Sequence, residues 1–422
     1  MSKYPALLIC AILFCALTSA QTGKIDRKKL VMRHTIRHAE TTPFSPLSVG
    51  NGRFAFTADI TGLQSFPEHY EPGIPLGTQS DWGWHYPLNP RGFKVSDSYK
   101  PYQVGDRQVN YAYRYTANMD TFKAKASDWL RESPHRIHLG MIGLEMVKKN
   151  GSTVSITDLQ NPQQELNLWT GQMSSTFAIE GQSVKVETLG NPDLDGISVR
   201  ISSSLLREGR LKIKIRLPLG VPQRLSYSFA QNESHQSALL TQKNHRALLS
   251  HQQDSDRYFL GIRHSNGAIQ AGDAHTWFIT PASDKERFEC SLVFSQKEFP
   301  LSRIPNYDSI QIANVKSWSR FWKSGGAVDF SQCTDPRAKE LERRVVLSQY
   351  LTRINCAGTL PPQETGLTYN SWNGKFHLEM HWWHGVHFPM WQRAEYLRAQ
   401  MPYYANIVEK ARATAQMQGY KG

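Results

Sequence analysis

Residues 371–387 have the sequence SWNGKFHLEMHWWHGVH, which combines three tryptophans and four histidines with one lysine, one asparagine and one glutamate. In a helix that starts near Phe376, apolar side chains would cover nearly the whole circumference. A helix of this kind is stable only when neighbouring elements bury it. The segment therefore predicts a helical domain in which several helices pack around it.

Four helices are predicted in this part of the chain, over residues 306–325, 335–358, 376–398 and 402–417. The first two start at capping or proline residues and carry apolar residues at helical spacing. Pro389 is expected to kink the third helix, because proline has no backbone N–H to donate. Four helices beside a β domain are too few to bury the third one, so the sequence indicates that further helices complete this domain.

Residues from about 40 to 300 show a different pattern, in which short alternating stretches of apolar and polar residues are separated by turn residues. Such alternation predicts strands with one buried face. The many short strands predict a large antiparallel β-sandwich. The clearest predicted strands cover residues 184–188, 197–201, 210–216, 258–262, 276–279 and 288–294.

The first 20 residues have the composition of a secretory signal peptide. Lys3 precedes an uninterrupted apolar run at 7–17, and the small residues at 18–20 offer a cleavage site before Gln21. The apolar run is shorter than the roughly 20 residues that a membrane-spanning helix needs, and no other segment is long and apolar enough. We therefore expect a secreted or periplasmic protein that has no membrane contact after the signal peptide is cleaved.

The chain of 422 residues has a formal net charge of +13, but its basic residues are scattered and mostly offset by acidic ones. This distribution argues against nucleic acid as a partner. The cysteines after the signal peptide are Cys290, Cys333 and Cys356. Their odd number and wide spacing predict neither a disulfide framework nor a zinc-binding pattern.

Three motifs resemble those of the six-hairpin glycosidases, a group that includes glucoamylase-type hydrolases and the maltose and trehalose phosphorylases. These motifs are the turn GNGRF at 50–54, the linker helix with Trp318 and Phe321-Trp322, and the segment GKFHLEMHWWH at 374–384. Proteins of this group place a β-sandwich before an (α/α)6 barrel of twelve helices.

The resemblance implies a multi-domain protein in which a large antiparallel β-sandwich precedes a linker helix and the first hairpins of an incomplete (α/α)6 barrel. After the signal peptide at 1–20, the expected domains are the β-sandwich at 21–304, the linker helix at 305–330 and the start of the catalytic barrel at 331–422. In this group the general acid and the base or phosphate site lie further along the barrel. The chain is therefore expected to be an N-terminal fragment that is inactive on its own.

In the phosphorylase branch of the group, a Trp-Asp-Thr-Glu loop holds the sugar at this point of the barrel. By resemblance the matching residues are Phe376-His377-Leu378-Glu379, of which only the glutamate is kept. His377 replaces the sugar-holding aspartate, so the same contact is not implied. The resemblance thus implies a secreted glycoside hydrolase-like protein that, in its full-length form, cleaves a glycosidic bond of an oligo- or polysaccharide by general acid/base chemistry.

Flat aromatic side chains with hydrogen-bonding groups between them suit a sugar ring, which has apolar C–H faces and a rim of hydroxyls. Glu379 is the leading catalytic candidate, although the resemblance favours a substrate-binding role for it, and Glu364 is a second candidate. The alternatives are a buried glutamate paired with a histidine or lysine, and tryptophans that pack in a core. The predicted substrate-binding residues are Trp372, Asn373, Lys375, His377, His381, Trp383 and Trp84.

A zinc site is an alternative, because His377, His381 and His384 share one helical face at spacing i, i+4 and i+7. In the zincin motif the glutamate directly follows the first histidine, whereas Glu379 falls on the other side of this helix, so no metal or cofactor is expected. A non-catalytic carbohydrate-binding protein and a glycoside phosphorylase are the remaining alternatives. The expected partner is a carbohydrate, and the sequence leaves the oligomeric state open.

Overall fold

The structure is a computed structural model that describes residues 24–115 and 121–420. The predicted signal peptide at 1–20 lies outside the described residues. The strands in these ranges are β1 (Ile36–His38), β2 (Leu47–Gly50), β3 (Phe54–Ala58), β4 (Thr78–Ser80), β5 (Trp84–His85), β6 (Tyr99–Val104), β7 (Arg107–Ala112), β8 (His135–Arg136), β9 (Met141–Met146), β10 (Gln160–Asn167), β11 (Gln172–Ile179), β12 (Gln182–Gly190), β13 (Gly196–Ser202), β14 (Leu211–Arg216), β15 (Gln236–Lys243), β16 (Arg246–Gln253), β17 (Asp256–His264), β18 (Ala268–Ala271), β19 (Thr276–Thr280) and β20 (Arg287–Ser295).

The helices in the same ranges are α1 (Arg27–Met32), α2 (Pro67–Tyr70), α3 (Phe122–Glu132), α4 (Ser204–Arg207), α5 (Tyr307–Lys323), α6 (Ala338–Cys356), α7 (Leu378–Gly385), α8 (His387–Met390), α9 (Ala394–Arg398), α10 (Pro402–Asn406) and α11 (Val408–Met417). None of these helices is long and apolar enough to cross a membrane.

The β domain is built around a nine-stranded antiparallel sheet with the strand order β1-β10-β11-β12-β13-β20-β17-β16-β15. A four-stranded sheet (β18-β19-β14-β9) and a three-stranded sheet (β2-β3-β4) pack their apolar side chains into the same core. Burial alternates residue by residue along β11 and β14, as a strand with one buried face requires. The six clearest predicted strands fall in β12, β13, β14, β17, β19 and β20.

Helix α5 connects the β domain to the helical part. The Asn306 side chain caps it by accepting a hydrogen bond from the Ser309 N–H at 2.9 Å. Trp318 and Trp322 are buried against the sandwich, and the Trp322 indole donates to the Leu168 carbonyl at 2.7 Å. On its other side, Trp318 stacks on Tyr350 of α6, with 4.6 Å between ring centroids. The aromatic residues of the predicted linker helix therefore join the two parts of the chain.

The helical region agrees with the predicted helices at 306–325 and 335–358, which are α5 and α6. The prediction of one kinked helix over 376–398 was wrong, because this stretch forms the three short helices α7, α8 and α9. The break before α9 occurs where Gln392 adopts a positive φ of 59° and Arg393 turns inward to donate to Gln349 Oε1 at 2.9 Å. The predicted helix at 402–417 is likewise divided, at Ile407, into α10 and α11.

Helices α7 and α8 bury only one face. His381 and Phe388 are buried, whereas Leu378, Trp382 and Trp383 are between 62% and 71% exposed. The expectation that neighbours bury this segment on all sides is therefore met on the inner face alone. The observed architecture, a large antiparallel β domain followed by a partial helical barrel, confirms the predicted fold class.

Candidate functional site

A cavity of about 880 Å³ lies between the sandwich and the helical region. The sandwich contributes the loop and strand at 81–86 and the turn between β16 and β17. The helical region contributes Lys375, Phe376 and Tyr403. A site at the junction of two domains is a common location for ligand binding, and its volume falls in the usual range of about 300–1,000 Å³.

Aromatic side chains form part of the cavity wall. The guanidinium of Arg136 lies over the ring of Trp84, at 4.1 Å from the ring centroid, and the Trp84 indole donates to the Asp81 carbonyl at 3.1 Å. Phe376 and Tyr403 meet edge to face, with 5.4 Å between ring centroids. These contacts hold the rings in place, so the cavity offers preformed flat apolar surfaces.

Asp81 is one of the carboxyl groups in the cavity wall. It is only 7% exposed. Burial, together with the nearby Asp195, raises the pKa of Asp81 to about 6, although Arg136 and Arg53 act in the opposite direction. A carboxyl group with this pKa can exchange a proton with a ligand in mildly acidic solution.

Asp256 is the second carboxylate of the cavity wall, and its Oδ2 atom is already engaged. It accepts hydrogen bonds from His85 Nδ1 at 2.9 Å and from the Tyr86 N–H at 2.6 Å. The other ring nitrogen of His85 lies 3.3 Å from Asp254 Oδ2. His85 therefore bridges two carboxylates and orders the β16–β17 turn against β5.

Lys375 anchors the helical region to the end of α3. Its ammonium donates to the carbonyls of Leu130 at 2.9 Å, Arg131 at 2.8 Å and Ser133 at 3.0 Å. The carbonyls at a helix C-terminus carry partial negative charge and attract a cation. Burial, with a smaller contribution from Arg131, lowers the pKa of Lys375 to about 8, so the group is mostly protonated at neutral pH. Asn373 adds a hydrogen bond to the Arg131 carbonyl at 2.8 Å.

Of the predicted substrate-binding residues, Trp84 and Lys375 line the cavity. Trp372 lies nearby under the guanidinium of Arg131, at 5.0 Å, and meets His377 edge to face at 5.8 Å. Asn373 lies in the same loop and faces α3. The structure thus places two of these five residues in the cavity wall and the other three in the chain segment next to Lys375, and their contact with sugar stays a prediction.

The remaining predicted site residues lie on α7, away from the cavity wall. Glu379 and Trp383 are exposed on the outer face of the helix. His381 is buried, and its ring nitrogens lie 2.5 Å from the Tyr404 hydroxyl and 2.6 Å from Gln400 Oε1. These distances describe a packed histidine that orients α7 on α10. Glu364, the second carboxylate candidate, is half-buried in the loop at 363–375 that precedes α7.

The histidines weighed as zinc ligands do not come together as a metal site. Both ring nitrogens of His381 are occupied by protein partners. The described part of the chain contains no group of three or more histidine, cysteine, aspartate or glutamate side chains that could hold a metal ion.

Asp81, Arg136 and Asp256 are site residues that the sequence patterns did not reveal. Asp81 directly precedes the aromatic run Trp82-Gly83-Trp84-His85, which is itself a recognisable signal of a binding loop. Arg136 reaches the cavity because β5 and β8 pair Trp84 with Arg136 across an antiparallel ladder. That pairing joins positions 52 residues apart, and no local pattern predicts it.

One solved structure with a TM-score above 0.5 supports the fold, and two others are similar at lower scores. A protein assigned as a kojibiose phosphorylase from the human microbiome matches 81% of this chain and 44% of its own length, at 10% identity and a TM-score of 0.53. A bacterial glucoamylase complexed with acarbose matches 67% of this chain and 46% of its own, at 8% identity and a TM-score of 0.46. A family GH92 α-mannosidase from Bacteroides thetaiotaomicron covers 53% of this chain at a TM-score of 0.24.

The chain spans less than half the length of these solved structures. No protein-family model and no curated protein matches it. At 10% identity and a TM-score of 0.53, the kojibiose phosphorylase match shows a shared fold, in which a large antiparallel β domain precedes helices, and the resemblance seen in the sequence is confirmed at the level of the fold.

Proposed function

We propose that the chain is the sandwich and first helices of a carbohydrate-active protein, and that the cavity between the sandwich and the helical region binds a saccharide. The observation that carries this proposal is the lining of the cavity. Trp84 and Phe376 present flat apolar faces, and the Asp81 carboxyl group supplies a polar group beside them. A sugar ring requires this combination, because its C–H faces are apolar and its edge carries hydroxyls.

We further propose that the full protein cleaves a glycosidic bond by general acid/base chemistry. This reaction needs one carboxyl group to protonate the leaving oxygen and a second to activate the acceptor. Asp81 has a pKa suited to proton transfer, whereas Asp256 is engaged by His85 and Tyr86. Glu379, which lies outside this cavity on the exposed face of α7, is the alternative carboxylate, and its predicted role in binding or catalysis would belong to a site formed where further helices cover that face.

A non-catalytic carbohydrate-binding protein is the second candidate. The specific observation in its favour is the distribution of the carboxylates. Glu379 is exposed outside the cavity, and one of the two aspartates that line the cavity is already bonded within the protein. The two candidates share the binding site and differ in whether a bond is broken.

Binding and turnover on a panel of oligosaccharides test these proposals. Calorimetric titration should detect binding that Trp84→Ala weakens by about tenfold or more, which corresponds to the loss of about 1.5–3 kcal/mol for a large apolar contact. Phe44→Ala, at a 68% exposed aromatic residue elsewhere, serves as a matched control. If Trp383→Ala abolishes binding and Trp84→Ala does not, the site lies on α7 instead.

Product analysis separates the candidate reactions. Release of reducing sugar in plain buffer indicates hydrolysis, and release only with inorganic phosphate indicates phosphorolysis. Binding without either release indicates the binding protein. Activity that Asp81→Asn abolishes, with saccharide affinity retained, supports the assigned proton transfer, and activity that Glu379→Gln abolishes instead supports the role predicted for that residue.

We also propose that the leader at 1–20 exports the protein. Amino-terminal sequencing of secreted or periplasmic material should begin at Gln21, and a cytoplasmic protein that begins at Met1 would contradict this.

A further inference from the structure

A second cavity, of about 320 Å³, lies where strands β16, β17 and β20 meet the first turn of α5. It shares no lining residue with the saccharide cavity. Arg246 of β16 and Arg263 of β17 both line it, and they are directly opposite each other in the antiparallel ladder. Opposite residues in such a ladder project to the same face, with Cβ atoms about 4.5–5.5 Å apart.

The two arginines leave this cavity with an excess of positive charge. Like charges directly opposite each other destabilise a sheet. Burial, followed by repulsion from Arg246, lowers the pKa of Arg263, although the Glu289 carboxylate acts in the opposite direction. The carboxylate in the cavity wall is Glu289, and it already accepts hydrogen bonds from Arg200 at 2.8 Å and from Arg287 at 2.8 Å.

The guanidinium groups also retain hydrogen-bonding capacity. Arg263 uses one N–H group to donate to the Ile304 carbonyl at 3.1 Å. Nε of Arg246 is buried and has no hydrogen-bond partner among the described residues. A buried cationic donor without a partner is costly, because it has lost its contact with water. A ligand that supplies acceptor oxygens would remove this cost.

The start of helix α5 forms another part of the cavity wall. Asn306 and Tyr307, which begin the 17-residue helix α5, line it. A helix N-terminus carries a partial positive charge and favours anions, although Asp308 in the first turn of α5 offsets part of that charge here. The planar fork of an arginine matches the paired oxygens of a phosphate or sulfate group. The wall, the arginine pair and the unpartnered donor therefore select the same kind of ligand.

We propose that this cavity binds an oxyanion through Arg246 and Arg263, namely a phosphate or sulfate group that is free or carried by a saccharide. The bound group bridges the two guanidinium ions and replaces their repulsion with attraction to a common partner. The site is separate from the saccharide cavity, so it stands or fails independently of the proposed function.

Thermal unfolding with inorganic phosphate or sulfate tests this site, with sodium chloride at equal ionic strength as the reference. The melting temperature of the wild-type protein should rise with either oxyanion and not with chloride. Arg246→Gln and Arg263→Gln should each remove that rise and weaken oxyanion binding, measured by calorimetry, by about tenfold or more. Arg37→Gln, at an exposed arginine on the edge strand β1 of the same sheet, should leave the rise unchanged.

The same variants contain an internal check on folding. In oxyanion-free buffer, Arg246→Gln should melt at the wild-type temperature or above it, because the substitution relieves the repulsion. A sugar phosphate that binds more tightly than inorganic phosphate indicates a group carried by a saccharide, and equal affinities indicate a free ion. Either the absence of an oxyanion-specific rise in the wild type, or its persistence in either arginine variant, overturns the proposal.

Discussion

Replacing Glu342 with glutamine is expected to destabilise the protein by about 3 kcal/mol. Glu342 lies on α6 and is only 2% exposed. Its carboxylate accepts hydrogen bonds from Arg33 Nε at 2.7 Å, Arg33 Nη2 at 2.7 Å, His34 Nε2 at 2.6 Å and the Phe330 N–H at 2.5 Å. This one group therefore ties the segment after α1 and the linker after α5 to the first long helix of the barrel.

The magnitude follows from the burial of the pair. Removing one partner of a buried ion pair costs about 3–5 kcal/mol, because the other charge is left without compensation. The side chain of Arg33 is 28% exposed, so water can hydrate part of the abandoned guanidinium. Glutamine also keeps one acceptor oxygen for the Phe330 N–H. Both effects place the expected loss at the lower end of the range.

Unfolding by guanidinium chloride at pH 7 measures this loss. Glu340→Gln is the matched control on the same helix, because Glu340 is exposed and, among the described residues, forms its ion pairs with the surface residues Arg343 and Arg344. Surface pairs contribute about 0–1 kcal/mol, so the control should stay near the wild type. Equal stabilities for the two variants would refute the account of how α6 is docked.

The pH dependence provides a second readout. Burial opposes the ionisation of Glu342, but hydrogen bonds from Arg33, His34 and Phe330 outweigh it and hold the pKa of Glu342 below its usual value. The charged form therefore stabilises the folded state above the ordinary glutamate pKa, and this stability is lost as the pH falls through the lowered value. The gap between the wild type and Glu342→Gln should accordingly narrow in acid.

Three further predictions concern other parts of the molecule. Burial lowers the pKa of His138 to about 3, so between about pH 6.5 and pH 3 the imidazole takes up a proton only in the unfolded chain. Relative to His138→Gln, the wild type should therefore lose about 1.4 kcal/mol of unfolding free energy per pH unit as the pH falls from 6 to 4, and parallel pH profiles for the two proteins would contradict this. Gly171 has a φ of +66°, and a Cβ there would overlap Trp318 Nε1, so Gly171→Ala should lower the free energy of chemical unfolding by about 2–4 kcal/mol. Gly151 has a φ of +83° but nothing within 4 Å of an added Cβ, so the control Gly151→Ala should lower it by about 1 kcal/mol. The exposed apolar face of α7 and α8 should bind a hydrophobic dye, and Trp382→Ser should reduce the dye fluorescence; a protein that binds no dye would show that this face is not accessible.

The fold class could be predicted because its signals are local. Alternation along 184–188 or 197–201 depends only on neighbouring residues, and so does the cap at Asn306 that starts α5. The break near Gln392 could not be predicted in the same way. This break depends on a buried hydrogen bond that the Arg393 side chain donates to Gln349, which lies 44 positions earlier in the chain.

The candidate site was predictable only in part, for the same reason. The aromatic run before His85 and the polar loop around Lys375 stand out in composition, and both reach the cavity. The histidine-rich helix after them suggested ligand contacts, yet His381 serves packing, because Tyr404 and Gln400 occupy its nitrogens. Composition identifies residue types that suit sugars, and only the packing decides which of them face a cavity.

The most direct test of the central claim is a crystal structure of the protein with the tightest-binding oligosaccharide from the panel. The account predicts a sugar ring in the cavity between the sandwich and the helical region, with its C–H face on Trp84 or Phe376 and its hydroxyls within hydrogen-bonding distance of polar groups of the cavity wall. A saccharide bound instead on the exposed face of α7, at Trp382 and Trp383, would contradict it.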